Sequence, residues 1–303
     1  MFEYILSLLT ITVILVLLAQ SYNLSFGLTG LLNLGHIIFY GIGAYTAAIL
    51  NTKFGVGFFE NLILAILITG GFATFFGLLC LRLSGHYLAI ATLGAAMITS
   101  VVANNWMSLT NGPLGIRGIE NPIVFGYHFD SALSIFSLYF IIVSFCLFLL
   151  YKIFHSPYGR ILRAIKDDEL AAISVGKNVF SAKIWSLILS ASFTGIAGVL
   201  YAHYRLFLDP SIFALPEIIF AILIVVVGGR GNFWGCILSV LFLQFISEIP
   251  RFFGFPDEIV GATRNILFAS LLIAVMFWKP NGLFDKQLKK TLEKNKKGYS
   301  TFK

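Results

Sequence analysis

Charge is what this sequence has least of. Only 12% of its 303 residues are Asp, Glu, Lys or Arg, against about 25% in ordinary soluble domains. A chain that is also 58% hydrophobic has too little polar surface to cover a soluble fold, so the composition points to an all-α, polytopic integral membrane protein. Cysteine is nearly missing too. Cys80, Cys146 and Cys236 each lie inside an apolar run, and an odd number without C-x-x-C spacing argues against a disulfide framework or a thiolate metal site. The apolar runs hold almost no ionisable residues, which leaves few candidates for a proton or sodium relay. There is no H-E-x-x-H, no G-x-S-x-G and no Walker A sequence. The chain reads as a non-enzyme that binds no cofactor, and any ATP-Mg would sit on a separate subunit.

What is present is a succession of spans. About 20 apolar residues are needed to cross the hydrocarbon layer, and that rule places spans near 3–20, 34–50, 61–81, 87–104, 133–152, 184–204, 213–229, 233–249 and 262–278. Nine is the expected number, with eight or ten as alternatives, because Ser25 to Leu50 carries Gly27, Gly30, Gly35, Gly41 and Gly43 and reads as broken or re-entrant. Residues 5–19 are apolar enough for a secretory leader. Glu3 precedes them without a Lys or Arg, and no A-x-A-like site follows before Gln20, so they read as a retained first span. The expected division is a membrane domain over 1–284 and a lysine-rich tail over 285–303, whose plain reading is a solvated end near anionic headgroups.

The net charge of +7 raises nucleic acid as a partner, but position decides against it. If the 156–183 loop and the tail share one side, alternation puts 16 of the 21 basic residues on that side. This is the positive-inside pattern of a cytoplasmic face, with the N-terminus opposite.

The longest polar interruption inside the membrane domain is Tyr158 to Asn178, YGRILRAIKDDELAAISVGKN. Asp167 or Asp168 is placed to N-cap a short helix, Glu169 falls in its first turn where the dipole favours negative charge, and Gly176 stands at the C-terminal stop. Leu162, Ile165, Ala172 and Ile173 fall on one helical stripe, a face that a mere connector does not need. Asn33 and His36 open the second span, where a capped start at Asn33 and helix packing is the plain reading and a translocation path, with Tyr45, the functional one. His36 has no second ligand at i+3 or i+4. Further on, Ala191, Thr194, Gly195 and Gly198 form a strip suited to close helix contact. Gly228, Gly229 and Gly231 form a glycine-rich turn without the context of a phosphate loop. The 105–132 segment is long for a connector and is expected to pack as a cap or dock something outside.

Taken in order, SYNLSFGLTGLLNLGHIIFYGIGAYTAAIL, LRLSGHYLAIATLG, LTNGPLGIRGI, SPYGRILRAIKDDELAAISVGKNVFSAKI, GIAGVLYAHY, VVVGGRGNFWG and FWKPNGLF resemble the LivM-type permeases of bacterial branched-chain amino acid ABC importers. The resemblance runs from about Ser21 to Phe284. It implies a multi-pass subunit of the inner membrane, paired with a homologous LivH-type permease, two ATPase subunits below and a periplasmic amino-acid-binding protein above. It also implies that the central loop is an ATPase-docking element, because Glu169, Ala171, Ala172 and Gly176 match the family's E-x-A-A-x-x-x-G pattern. Arg160, Arg163 and Lys166 would then pair with acidic groups of the ATPase beside Asp167 and Asp168, while Ala171 and Ala172 allow close approach. Urea and short-chain amide permeases of the same superfamily read much alike and remain the alternative cargo class. An ion-gradient-driven transporter is a further alternative.

Overall fold

In a bilayer every main-chain N–H and C=O must be paired within the protein, which forces long apolar runs into helices. A computed structural model describes residues 2–83, 85–124, 126–252, 257–279 and 282–283. The expected tail over 285–303 and Ser84 of the Ser84-Gly85 turn lie outside the described residues. The first helix, α1 (Phe2–Tyr22), runs on as a π-helical turn, Asn23–Leu28, before α2 (His36–Phe54), α3 (Phe58–Cys80) and α4 (His86–Asn105). A short α5 (Met107–Thr110), β1 (Ile116–Arg117), β2 (Ile123–Val124) and β3 (Tyr127–His128) lead to α6 (Ala132–His155). Then come α7 (Pro157–Asp167), α8 (Glu169–Ser174), α9 (Val179–Arg205), β4 (Phe207–Leu208), α10 (Leu215–Gly228), α11 (Phe233–Phe252) and α12 (Asp257–Trp278).

A helix stands at each expected span. Six segments are long and apolar enough to cross a membrane among the described residues: Phe2–Leu28, Phe58–Cys80, His86–Asn105, Ala132–His155, Val179–Arg205 and Phe233–Pro250. The glycine-rich segment is broken. Residues 29–35 leave the helix, and α2 begins at His36 behind Gly35, so the expected start at Asn33 is displaced by three residues. Asn33 serves the bend instead, its Oδ1 accepting the Gly35 N–H at 2.9 Å. Non-helical backbone among transmembrane helices is tolerated because it is buried in protein, and here Thr92 Oγ1 accepts the Leu34 N–H at 3.0 Å.

The central post is α9, which packs on α1, α2 and α3. Its small residues make the contact. A Cβ at Gly43 would overlap the Gly195 backbone, and one at Gly198 would overlap the Tyr40 carbonyl. Backbones thus meet where larger side chains would hold them apart. A second apolar cluster joins α1 to α10, α11 and α12. The 105–132 segment packs as a cap. Its β1 pairs antiparallel with β4, β2 pairs with β3, and Asn51 Oδ1 accepts the Glu120 N–H at 2.9 Å. Cys146 and Cys236 are buried and all three cysteines are free.

Candidate functional site: the α7–α8 hairpin and its anchorage

Two opposite faces can be told apart from contacts. The N-terminal end of α1 meets the late part of α11, where the Tyr4 hydroxyl donates to Glu248 Oε2 at 2.5 Å. The other end of the first helix meets α7, where Lys166 Nζ donates to Gly27 O at 2.8 Å. The loop carrying α7 and α8 therefore lies across the membrane domain from residue 4, the relative topology that alternation demanded.

The hairpin is built by local rules. Ser156 N-caps α7, its Oγ accepting the Gly159 N–H at 3.1 Å, and Pro157 takes the first-turn position where its missing N–H is harmless. The amphipathic α7 buries Gly159, Leu162 and Ile165 against the membrane domain. It stops at Asp168, whose extended backbone breaks the helix and whose Oδ1 accepts the Ala171 N–H at 3.0 Å. Of the two expected caps, then, Asp168 is the one used. Gly176 has φ +76°, its N–H reaches Ile173 O, and the Lys177 N–H reaches Ala172 O, a left-handed glycine stop.

The break at Asp168 corrects the single apolar stripe expected from sequence. Leu162, Ile165 and Ala172 are buried, but Ile173 is turned outward and is 52% exposed. Ala172, expected at a partner surface, is packed inside this chain at 3% exposure. Ala171 remains exposed. The outer face of α8 and the turn after it is instead apolar: Leu170 is 76% and Val175 71% exposed. Leu170 and Val175 are not among the residues expected to dock. Their signal was there, as large apolar residues in a polar loop that the glycine stop keeps short.

Three of the six charged residues expected to serve docking, Arg163, Lys166 and Glu169, fasten the hairpin to its own chain. Arg163 Nη2 donates to Phe154 O at 2.9 Å, and Lys166 Nζ to Gly27 O and, at 3.2 Å, to Arg230 O. Glu169 pairs with Lys183 at 2.6 Å, joining α8 to the second turn of α9. The Tyr158 hydroxyl donates to Ala182 O at 2.7 Å, and burial pushes its pKa up, so it stays a donor. Arg160, Asp167 and Asp168 are exposed. The expected pairing of Arg163 and Lys166 with a partner's acidic groups thus meets a prior use of both side chains within this chain.

The residues expected along a path fall into two groups. Asn33, His36 and Tyr45 are buried within the bundle. His36 Nε2 lies 2.7 Å from Thr194 Oγ1 and 3.3 Å from Ser21 Oγ, while its ring lies against Tyr22 and Phe39. Tyr45 stacks on Phe213 with the ring planes 3° apart. Gly228, Gly229 and Gly231 belong to the α10–α11 turn on the hairpin's face. A Cβ at Gly228 would strike the Cys236 backbone, Gly229 and Gly231 have φ +92° and +84°, and the Gly231 N–H reaches Asn23 Oδ1 at 2.9 Å. Sequence spacing did not bring these two groups apart; the structure does. Among the described residues no group of three or more His, Cys, Asp and Glu side chains is placed to hold a metal.

The family described as branched-chain amino acid transport system / permease component matches residues 4–276. The chain belongs to this family. The permease is 33% identical over 297 residues to the high-affinity branched-chain amino acid transport system permease protein LivM of Salmonella typhimurium and of Escherichia coli K12, an alignment covering 90% of this chain and 68% of each relative. To the permease protein LivH of Escherichia coli K12 it is 23% identical over 285 residues, 88% of this chain and 90% of that relative. No solved structure matches the permease. Its place is that of a multi-pass membrane component of a transport system, not of a catalyst.

Proposed function

We propose that this permease is one half of the membrane pathway of an ABC importer for branched-chain amino acids, working beside a LivH-type permease. Two ATPase subunits, holding ATP-Mg, grip the α7–α8 hairpin on the cytoplasmic side of the inner membrane, and a periplasmic binding protein delivers the amino acid opposite. The family match over 4–276 supports the transport reading. The observation that carries the docking reading is the apolar outer face of α8, where Leu170, Ile173 and Val175 stand exposed on a helix whose inner side is pinned to the membrane domain. Exposed apolar clusters on a rigid support mark protein contacts, and a pinned helix transmits a partner's movement instead of absorbing it. A zwitterionic cargo needs no buried counter-charge where helix ends and backbone groups supply dipoles, which accords with spans so poor in ionisable residues.

The test is uptake of labelled leucine into proteoliposomes holding this chain, its partner permease, the ATPases and the binding protein. Uptake that requires ATP, and that is lost when Leu170 is changed to Asp, is the expected result. Uptake of urea in place of leucine would replace the cargo and keep the machine. Uptake that follows an ion gradient without ATP would overturn the reading.

A further inference from the structure

On the hairpin's face a cavity of about 640 Å³ opens between α6, α7, the α10–α11 turn and the start of α11. Its size falls within the range of roughly 300–1,000 Å³ found for small-ligand pockets. Arg163, Lys166, Arg230 and His155 line it, against one carboxylate, Asp167. Among the described residues no carboxylate lies within ion-pair distance of Arg163 or Arg230. Arg163 spends one donor on Phe154 O, and Arg230 rests its guanidinium over the Phe26 ring at 5.9 Å. Two arginines whose charges meet no carboxylate at one mouth make a site for an anion of phosphate chemistry, because the planar fork matches phosphate oxygens.

The remaining walls say which anion. Trp234 and Leu238 of α11 close the same cavity. They begin a stripe, continued by Leu241 and Phe245, that recurs at helical spacing along α11 and is exposed at all four positions. The stripe leads from the basic mouth along a membrane-spanning helix, starting with an indole of the kind that settles at headgroup depth. A free phosphate would use only the mouth. A molecule with a phosphate at one end and acyl chains at the other uses both.

We propose that this cavity binds the headgroup of an anionic glycerophospholipid from the leaflet on the hairpin's side, its acyl chains lying along Trp234, Leu238, Leu241 and Phe245. Basic pockets between transmembrane helices are where such headgroups are held. The bound lipid bridges Arg163 of the docking hairpin and Arg230 of the α10–α11 turn, two elements otherwise joined here through Lys166. The site does not depend on the identity of the cargo.

The experiment is native mass spectrometry of the purified full chain titrated with phosphatidylglycerol or phosphatidylcholine, with glycerol phosphate and inorganic phosphate as competitors. The expected result is retention of phosphatidylglycerol in preference to phosphatidylcholine, with loss of affinity of about tenfold or more in Arg230→Gln, the size expected for one charge-assisted contact. Arg230→Lys should retain part of the preference, and Lys152→Gln, a charge removed from the end of α6 outside the cavity, should keep all of it. Equal retention of the two lipids, or wild-type affinity in Arg230→Gln, would overturn the proposal. Displacement by inorganic phosphate at the same concentration as glycerol phosphate would assign the mouth to free anions and overturn the lipid. A preference that survives in the isolated chain but vanishes once the ATPases are bound would assign the arginines to acidic groups of that partner and overturn it also. Binding of phosphatidylcholine by the Arg230→Gln chain at the wild-type level reports that the variant is folded, so lost phosphatidylglycerol is read as lost recognition.

Discussion

Lys166 Nζ donates to the carbonyl of Gly27 at 2.8 Å across 139 residues of sequence. Gly27 lies in the last turn of the π-helical extension of α1, where carbonyls have run out of intrahelical partners and the helix dipole is negative. One ammonium therefore caps the first helix and, through Arg230 O, holds the turn between α10 and α11.

Replacing Lys166 by Met keeps the stem and removes the cap. Two carbonyls lose a charged donor, and the expected loss is about 1–3 kcal/mol. It should appear as a lower thermal midpoint of the detergent-solubilised chain. Coupled uptake should fall further than the stability loss explains, because the hairpin is then unfastened from α1.

Leu170 is the reverse case. At 76% exposure its change to Asp removes little packing in this chain, and the midpoint should move by no more than surface substitutions do, within about 0.5 kcal/mol. Binding of the ATPase subunits, followed by surface plasmon resonance on the nanodisc-held permease pair, should weaken about tenfold or more, as at an interface hot spot. Unchanged binding would remove α8 from the interface.

The Glu169–Lys183 pair is partly exposed on the glutamate side. Such pairs contribute at most about 1 kcal/mol and are screened by salt. Glu169→Lys should destabilise modestly at low salt and less at 1 M, and Lys183→Glu in the same chain should restore most of the loss. A double-mutant cycle in urea reads the coupling.

Two glycines should separate cleanly. Gly198→Val forces a side chain into the Tyr40 carbonyl and the Gly43–Ala44 backbone, and overpacking of about 1–3 kcal/mol or worse is expected, with expression reduced. Gly71→Ala in α3 meets nothing within 4 Å and should be neutral or stabilising by up to about 1 kcal/mol. Thermal melts of the two variants side by side check both.

Thr194→Val removes the oxygen that His36 Nε2 faces. Hydrogen bonds between membrane helices average about 0.6 kcal/mol, up to about 1.7, and a loss in that range is expected, with Thr194→Ser recovering it. Forced unfolding of single molecules in a bilayer measures it.

The helices were legible because an apolar run of about 20 residues in a bilayer has one low-energy conformation. The caps of the hairpin were legible because Asp168 and Gly176 act on neighbours a few residues away. The Gly195 and Gly198 contact was legible as a strip of small residues, without its partner α2 being named. What stayed hidden was long-range. Arg163 and Lys166 looked free because a main-chain carbonyl leaves no mark in sequence. Asn33 and His36 carried both a packing and a path reading because a polar side chain in a span signals only that it needs a partner; the Gly35 N–H and Thr194 Oγ1 that stand beside them leave no mark in sequence. The bend at Asp168 is hidden because the apolar spacing on its two sides is compatible with one unbroken helix, and so Ala172 is expected outward where it is buried, while Leu170 and Val175 go unmarked.

The fastening of α7 has one consequence for how such a chain can drift. Tyr158, Arg163 and Lys166 each supply a side-chain donor, and Ala182, Phe154, Gly27 and Arg230 each answer with a main-chain oxygen. Every residue type has that oxygen. Arg230, the exposed receiver, can therefore change identity without breaking the tie, whereas Phe154 and Ala182 are constrained by burial and Gly27 by Asn23 and the Gly231 backbone, which a Cβ would strike. The giving positions cannot. In thermal melts of the detergent-solubilised chain the tie should therefore be lost with replacements at Lys166 and kept with replacements at Arg230, whose side chain takes no part in it.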